Sequence, residues 1–372
     1  MLEKMIQSRK VLEKIQPYSP GKPIWEVQEE LGLDRVIKMA SNENPLGPSS
    51  KAVEAIMQQL VTLNRYPDAD AVHLKQSIAD KLNVAASQLI ITNGADELIT
   101  LLSETFLENG DEIIVPSPSF SEYDFGAHLM GANVVLAKLE LDFEYDINVI
   151  LDAVTDRTKI VYLCSPNNPT GTYLPKNQFE QLLNKLPDHI LVVFDGAYSH
   201  YAAADDYTDG IEYIASGYPV IALQTFSKIY GLAGVRVGFG VARADIIQRI
   251  LKVKEPFNVN ALAQAAATAA INDDEHVRNS QIVNEKGRIQ LYEALEKMNV
   301  GYSKSMSNFV LVQIGPAAKE FYEKLLAKGI IVRYGAIWGL PDYIRVSVGT
   351  LEENAEFIKE MAAILNEERT VV

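Results

Sequence analysis

The sequence contains only one cysteine, Cys164, so no disulfide can form within the chain. It also lacks an uninterrupted apolar run of about 18 to 20 residues, the length that a membrane-spanning helix needs. The longest apolar runs, such as residues 190–194, have the length of β-strands. Because residues 1–5 do not resemble the apolar core of a secretory signal, we expect a cytoplasmic protein that does not enter a membrane.

Positive charge is scarce relative to negative charge. The chain has 34 lysines and arginines against 49 aspartates and glutamates, a formal net charge of −15. This balance argues against a protein that binds the phosphate backbone of nucleic acids, so any anionic ligand must be held locally. We also predict no metal site, because none of the five histidines shows metal-ligand spacing: His73, His128, His189, His200 and His276.

The order of apolar segments predicts the fold class. Hydrophobic residues make up 48% of the 372 residues and charged residues 22%, as in folded globular proteins of about two domains. Short Val- and Ile-rich runs alternate with amphipathic stretches, at residues 89–92, 112–115, 133–136, 159–163, 190–194 and 220–223. Strands that are apolar on both faces are typical of a sheet covered by helices on both sides. We therefore predict an α/β fold.

A second, smaller α/β unit is predicted near the C-terminus. Further strand-like runs lie at residues 309–312, 329–332 and 344–348, among helical patterns. We predict that residues 41–275 form a large domain and residues 276–372 the small domain. Residues 1–40 are expected to form an N-terminal arm and part of the small domain.

The predicted strand at residues 89–92 leads into a candidate anion site. Gly94 allows a tight turn, and an apolar helical pattern follows, so free backbone N–H groups of the first helical turn would point above the sheet. A phosphate suits such a position. The alternative is that Asp96 and Glu97 only cap the helix, and their carboxylates would have to point away from a phosphate.

Three further strand ends carry polar groups. The strand at residues 159–163 leads into a proline- and glycine-rich turn that holds asparagines, including Asn168. Asp195 ends an apolar strand, where a desolvated carboxylate needs a cationic or N–H partner. Lys228 lies in an apolar, glycine-bounded segment and is either a solvated loop lysine or one used covalently as a Schiff base. Ligands collect at the carboxyl ends of strands in α/β sheets, so we expect these groups to meet.

Four motifs resemble those of pyridoxal-phosphate aminotransferases of fold type I, in the same order and spacing. They are Ser-Pro-Asn-Asn-Pro-Thr-Gly at 165–171, Asp-Gly-Ala-Tyr at 195–198, Thr-Phe-Ser-Lys at 225–228 and Gly-Leu-Ala-Gly-Val-Arg-Val-Gly at 231–238. Within this family the chain resembles the histidinol-phosphate aminotransferases, on segments at 17–22, 40–47, 64–68, 93–97, 332–334 and 344–349. The resemblance implies a large domain with a mostly parallel central sheet in an α/β/α sandwich, plus a smaller α/β domain.

The resemblance implies catalytic roles for Lys228, Asp195 and Tyr198, and a cofactor-binding role for Asn168. Lys228 would form the internal aldimine with pyridoxal 5'-phosphate and then move the proton between the substrate Cα and the cofactor. Asp195 would pair with the pyridinium nitrogen and keep it protonated, so that the ring accepts the electrons released at Cα. Asn168 and Tyr198 would hydrogen-bond the phenolic oxygen of the cofactor.

The resemblance also implies how the cofactor phosphate is bound. Ser227, Arg236 and the backbone N–H groups of Ala95 and Asp96 would hold it, Arg236 through its fixed fork of donors. Tyr66 would reach the same phosphate from the neighbouring subunit. A homodimer with Tyr66 at the interface is therefore expected.

Phe120 lies where the family stacks an aromatic ring on the cofactor, a position often occupied by tyrosine. Stacking survives this change, whereas a hydroxyl hydrogen bond does not. Phe120 could instead fill the core, with Tyr123 as a weaker alternative for stacking.

For the substrate, two arginines 12 residues apart are expected to converge from the ends of successive strands. The resemblance implies that Arg345 clamps the carboxylate of glutamate or 2-oxoglutarate. Arg333 and Tyr18 would help to hold the phosphate of histidinol phosphate or imidazole-acetol phosphate, and Asn44 would line the site. One pocket would bind both substrates in turn, because transfer is ping-pong.

The function that this resemblance implies is amino transfer between histidinol phosphate and 2-oxoglutarate in histidine biosynthesis. An aromatic aminotransferase that acts on phenylpyruvate-type acceptors is the nearest alternative, alone or as a second activity of the same pocket. A related decarboxylase that acts on threonine phosphate shares the fold and cofactor. A non-catalytic regulator would need a DNA-binding module, for which the chain has neither a basic N-terminal domain nor spare length.

Overall fold

The computed structural model describes residues 6–15 and 21–370. The strands are β1 Ile37–Lys38, β2 Leu89–Thr92, β3 Glu112–Ser117, β4 Asn133–Lys138, β5 Thr158–Cys164, β6 Leu191–Asp195, β7 Val220–Thr225, β8 Gly238–Ala242, β9 Gly301–Tyr302, β10 Phe309–Gln313, β11 Ile330–Ile331, β12 Arg333–Tyr334 and β13 Tyr343–Ser347.

The α-helices are α1 Ile24–Leu31, α2 Ser50–Gln59, α3 Val72–Leu82, α4 Ala95–Phe106, α5 Glu122–Met130, α6 Ile147–Asp152, α7 Lys176–Lys185, α8 Ile211–Ala215, α9 Ala244–Ile250, α10 Ala261–Ala270, α11 Asp274–Lys297, α12 Ala318–Ala327 and α13 Leu351–Thr370. Within the part of the chain described, no helix is long and apolar enough to cross a membrane.

A seven-stranded sheet with the order β2-β8-β7-β6-β5-β3-β4 forms the centre of the molecule. Six strands run in one direction, and only β8 is antiparallel to its two neighbours. The apolar runs in the sequence predict these six strands to within a few residues, and the α/β class with a mostly parallel sheet is confirmed. Strand β8 was not predicted, because the glycines at 238 and 240 weaken the strand pattern.

Two apolar layers cover the faces of this sheet, and the alternation along β6 shows how. Val192 and Phe194 pack in one cluster with α3, α7 and α10. Leu191 and Val193 pack in another with α4, α5 and α9. Because successive side chains of a strand point to opposite faces, the strands are apolar on both sides and the result is an α/β/α sandwich.

The smaller sheet is antiparallel, with the order β12-β13-β10-β9, and α11, α12 and α13 contribute to its core. The N-terminal strand β1 pairs with β11, so residues 37–38 connect the N-terminal part of the chain to the C-terminal part. The domain boundaries at residues 40 and 275 stay a prediction.

Candidate active site

The carboxyl ends of β2, β5, β6 and β7 meet at one edge of the large sheet, beside a cavity of about 260 Å³. The small sheet closes the cavity from the other side. The predicted site residues that line it are Ala95, Asp96, Phe120, Asn168, Asp195, Tyr198, Ser227, Lys228, Arg236, Arg333 and Arg345. Residues more than 100 positions apart in the sequence therefore meet at this edge of the sheet, as the rule for strand carboxyl ends predicts.

One end of the cavity is built to hold an anion. Gly94 precedes α4 with φ +79°, and a Cβ there would collide with the guanidinium of Arg236. Arg236 itself has φ +58°, and its Nη1 donates to Ser227 Oγ at 3.2 Å. The first turn of α4, a guanidinium and a hydroxyl therefore converge, which is the donor set that a phosphate prefers.

The two acids of the first helical turn behave differently. Glu97 Oε2 accepts from the backbone N–H of Asn93 at 2.5 Å and from Asn258 Nδ2 at 2.7 Å, so its carboxylate is occupied away from the cavity. Asp96 lines the cavity, and its Oδ2 accepts from Arg236 Nη2 at 3.1 Å. Glu97 thus braces the turn, whereas Asp96 stays at the anion site with its charge balanced by Arg236.

Asp195 lies at the opposite end, as the last residue of β6, and is 4% exposed. Burial raises its pKa to about 6, although two hydrogen-bond donors that stabilise the carboxylate act to lower the pKa. Those donors are Tyr123 Oη, at 2.6 Å from Oδ2, and the Ala197 N–H, at 3.0 Å from Oδ1. The contact with Tyr123 was missed, because a buried tyrosine in α5 carries no sequence signal for which hydroxyl partner it meets.

Two aromatic rings are divided between cavity and core. Phe120 lines the cavity, and its ring meets Tyr123 edge-on with centroids 5.6 Å apart. Tyr123 is fully buried and stacks on Tyr162 at 4.4 Å. Phe120 is therefore the ring available to a ligand, and Tyr123 lies behind it.

Lys228 follows β7 and lies between the two ends. Its Nζ donates to the carbonyl of Ser41 at 3.1 Å and lies 5.8 Å from the centroid of the Tyr198 ring. Burial, with a smaller contribution from the positive charge of Arg345, lowers the pKa of Lys228 to about 8. A primary amine with this pKa is a usable nucleophile near neutral pH.

Three successive carbonyls of the segment 40–42 anchor residues from other parts of the molecule. Ala40 O accepts from Arg345 Nη2 at 2.6 Å, and Asn42 O accepts from Asn308 Nδ2 at 2.9 Å. Ser41 O, between them, accepts from Lys228. Asn44, two residues further along the loop, was the only residue of positions 40–47 that the sequence predicted for the site.

The structure corrects the prediction for Asn44. Its Nδ2 donates to Ile229 O at 2.7 Å and to Ser280 Oγ at 2.8 Å, so the amide ties the loop to neighbouring elements and does not line the cavity. Asn42, two residues earlier, lines the cavity in its place.

The two arginines are cross-strand neighbours. Arg333 in β12 stands directly opposite Arg345 in β13, which corrects the prediction that both lie at strand ends, because Arg345 is central in its strand. Arg345 is 6% exposed and lies 4.9 Å from the Trp338 ring. Its Nη1 donates to Asn168 Oδ1 at 2.5 Å, so these two predicted site residues contact each other.

Two predicted residues lie elsewhere. Tyr66 is 83% exposed and stacks on Phe257, with centroids 4.8 Å apart, and it does not line the cavity. Tyr18 lies outside the described residues. Within residues 6–15 and 21–370, no group of three or more metal-ligating side chains is positioned to hold an ion.

Comparison with known proteins gives consistent matches. Residues 34–361 match the family model of aminotransferase class I and II. The chain is 46% identical to the histidinol-phosphate aminotransferase of Moorella thermoacetica, covering 96% of this chain and 92% of that protein. It is 43% identical to that of Caldicellulosiruptor saccharolyticus, covering 96% and 99%.

A crystal structure shows the same fold. The histidinol-phosphate aminotransferase of Sinorhizobium meliloti, in complex with pyridoxal-5'-phosphate, superimposes with a TM-score of 0.89 at 25% identity, covering all of both chains. The predicted fold type I is thereby confirmed. The chain belongs to the class I and II aminotransferases and, within them, to the histidinol-phosphate aminotransferase family.

Proposed function

We propose that this protein transfers the amino group between histidinol phosphate and 2-oxoglutarate, forming imidazole-acetol phosphate and glutamate, with pyridoxal phosphate as its cofactor. One observation carries the proposal: the amine of Lys228 lies in a cavity that has an anion cradle at one end and the buried carboxylate of Asp195 at the other. The relatives' names supply histidinol phosphate as the substrate.

The cavity suits the cofactor's chemistry. Gly94 has φ +79° and packs closely on the Arg236 guanidinium, and the first turn of α4 that follows it suits the cofactor phosphate. Ser227, Arg236 and the N–H groups of Ala95 and Asp96 would hold that phosphate, and Phe120 would stack on the ring. When bound, pyridoxal phosphate supplies an electron sink for negative charge at the substrate Cα.

Asp195 keeps a negative charge beside the cofactor ring nitrogen. With a pKa of about 6 it is mostly ionised at neutral pH, and Tyr123 Oη and the Ala197 N–H favour the ionised form. The carboxylate therefore stabilises a proton on the ring nitrogen. Asn168 and Tyr198 would hydrogen-bond the phenolic oxygen of the cofactor.

Lys228 takes and returns the proton at the substrate Cα. Because its pKa is lowered to about 8, roughly one molecule in ten has the neutral amine at pH 7 before any ligand binds. Nζ donates a hydrogen bond to the carbonyl of Ser41, which holds it beside the Tyr198 ring.

The substrate anions are assigned to the paired arginines. Arg345 would bind the carboxylate of glutamate, and the apolar walls formed by Phe309 and Trp338 strengthen its electrostatic attraction. Arg333, half-buried on the facing strand, would bind the phosphate of histidinol phosphate, with Tyr18 as a further donor.

We also propose a homodimer in which Tyr66 reaches the cofactor phosphate of the partner subunit. Tyr66 stacks on Phe257 with both side chains exposed, and three apolar side chains shortly before it in the sequence are also exposed and costly to leave in water: Met57, Val61 and Leu63. The sedimentation coefficient shows whether the protein is a dimer. We expect Tyr66→Phe to weaken cofactor binding without changing this coefficient.

The experiment that tests the proposed reaction compares three amino donors. We expect kcat/KM for histidinol phosphate to exceed that for histidinol, its matched analogue without phosphate, by about 10- to 100-fold, since bonds to charged groups contribute about 1.5–3 kcal/mol. Phenylalanine should also be a poorer donor. Equal values for histidinol phosphate and histidinol, or a preference for phenylalanine, would contradict the proposal.

A further inference from the structure

A chain of buried hydrogen bonds leads from the small sheet to Tyr198. Asn42 is 1% exposed, and Ser347 in β13 and Tyr198 are each 4% exposed. Asn42 Nδ2 lies 2.9 Å from Tyr198 Oη, and Asn42 Oδ1 lies 2.8 Å from Ser347 Oγ. The backbone nitrogen of Asn42 lies 2.8 Å from the same Ser347 Oγ. These residues bridge the two sheets at the cavity.

The direction of every bond in this chain follows from its first donor. A backbone N–H can only donate, so Ser347 Oγ accepts from Asn42 N and keeps its own proton. That proton goes to Asn42 Oδ1, which identifies this atom as the amide oxygen. The amide nitrogen then donates to Tyr198 Oη. Tyr198 is therefore an acceptor toward Asn42, and its own proton is left for another partner.

The opposite orientation of the amide is unfavourable. If the Asn42 amide were reversed, its nitrogen would face Ser347 Oγ, and the Ser347 proton would have no acceptor among the described residues. Leaving a buried polar proton unsatisfied costs about 1–3 kcal/mol. The orientation found here avoids this cost.

We propose that Asn42 and Ser347 are positioning residues that turn the hydroxyl of Tyr198 toward the cavity, so that it donates to the phenolic oxygen of the cofactor. The inference rests on the proposed cofactor and deepens it. No other hydrogen-bond partner of Tyr198 Oη lies within the described part of the chain, which leaves the proton available to a ligand. Ser347 of the small sheet thus influences, through Asn42, a hydrogen bond made by Tyr198, which follows β6 of the large sheet.

The surroundings of Tyr198 favour its acting as a donor. Burial raises its pKa well above the ordinary value, so the hydroxyl keeps its proton. The charged or titratable groups nearby are Arg345, Lys228, Asp195, Cys164 and Tyr201. The ring itself is held edge-on against Phe309, with centroids 5.1 Å apart.

Replacing Asn42 by aspartate tests this polarity at constant shape. A carboxylate only accepts, so Asn42→Asp would draw the Tyr198 proton away from the cavity. The backbone at this position has φ +55°, which both asparagine and aspartate tolerate. The readout is the pH at which the absorbance of the cofactor bound to Lys228 changes, because a donor to the phenolic oxygen favours its anion and lowers this midpoint.

We expect both Asn42→Asp and Tyr198→Phe to raise the midpoint by about one to two pH units, since either change removes one bond to a charged oxygen. The double variant Asn42→Asp with Tyr198→Phe should show no further rise. A general effect of the added negative charge would instead persist in the Tyr198→Phe background, and that result would overturn the proposal.

Ser347→Ala provides a second test that adds no charge. It frees the Asn42 amide to turn, and we expect a smaller rise of the midpoint that again vanishes in the Tyr198→Phe background. An unchanged midpoint in folded Asn42→Asp and Ser347→Ala proteins that still bind the cofactor would overturn this inference alone. Absence of a visible absorbance band in the wild-type protein with pyridoxal phosphate would overturn the proposed function and this inference with it.

Discussion

The two sides of the cavity are built in different ways. On the cofactor side, Asp195, Lys228 and the Gly94 turn all follow strands of the seven-stranded sheet. On the substrate side, Arg333 and Arg345 come from the small sheet, and the segment 40–42 crosses between them and Lys228. Asp195, Lys228 and the Gly94 turn are positioned by the large sheet, whereas the substrate side depends on how the two sheets pack.

The same difference is seen in the hydrogen bonds that hold the two key charged residues, Asp195 and Arg345. Asp195 is held by the backbone of Ala197, two residues along the chain, and by Tyr123 of α5, which packs against the same sheet. Arg345 is held by Ala40 and Asn168, which lie far from it in sequence and belong to other elements. A change on the cofactor side should therefore affect all substrates alike, and a change on the substrate side should separate them.

Lys228→Ala should have the largest effect, because it removes the group that moves the proton at Cα. We expect the transfer rate to fall by about 10²- to 10⁴-fold for every donor, measured as initial rates with 2-oxoglutarate as acceptor. Lys185→Ala, an exposed lysine at the end of α7, is the control and should keep wild-type rates. Activity of Lys228→Ala within tenfold of wild type would be incompatible with the assigned role.

Arg345→Gln should separate the two substrates. It removes the buried charge assigned to the substrate carboxylate, and we expect kcat/KM for glutamate to fall by roughly 10- to 100-fold. Histidinol phosphate has no carboxylate, so its kcat/KM should fall less. The kcat/KM for glutamate and the kcat/KM for histidinol phosphate are measured separately, each as the amino donor. An equal loss for both substrates would contradict the assignment of Arg345 to the substrate carboxylate.

Arg333→Gln should show the opposite selectivity with a smaller effect. Arg333 is half-buried, so solvent screens its charge more than that of Arg345. We expect about a tenfold fall in kcat/KM for histidinol phosphate and a smaller fall for glutamate. Histidinol, which lacks the phosphate, serves as the internal control and should be almost unaffected. Equal losses for histidinol and histidinol phosphate would contradict the assignment.

Tyr123→Phe should have the smallest effect and act on cofactor binding. The lost hydroxyl stabilises the carboxylate of Asp195, so its removal raises the pKa of Asp195 above about 6. Cofactor affinity falls as this group is protonated, and we expect the midpoint of that fall to move to higher pH, measured by equilibrium dialysis of the apoprotein. Tyr162→Phe, which loses a hydroxyl from the adjacent stacked ring, should keep the wild-type midpoint. Identical midpoints in the two variants would exclude the proposed role of Tyr123.

The same comparison explains what could be predicted from the sequence. Strands apolar on both faces indicated the large sheet, and the rule that ligands bind at strand carboxyl ends gathered Asp195, Lys228 and the Gly94 turn. These features depend on local pattern and strand order. The strand β8 was missed, since a glycine-rich segment becomes recognisable as a strand only through its two neighbours.

The substrate side could not be derived in the same way. The pairing of Arg333 with Arg345 depends on cross-strand register, which sequence spacing does not determine. Within the loop after β1, nothing in the sequence indicates that Asn42 faces the cavity while Asn44 turns to Ile229 and Ser280. That choice depends on tertiary hydrogen bonds from elements that lie far away in the chain.

The most direct test of the central claim is to follow the two half-reactions separately by absorbance. Histidinol phosphate added alone to the protein loaded with pyridoxal phosphate should convert the cofactor to its pyridoxamine form and release one equivalent of imidazole-acetol phosphate. Addition of 2-oxoglutarate should then restore the original spectrum and yield glutamate. A spectrum that phenylalanine changes but histidinol phosphate leaves unchanged at equal concentration would contradict the account.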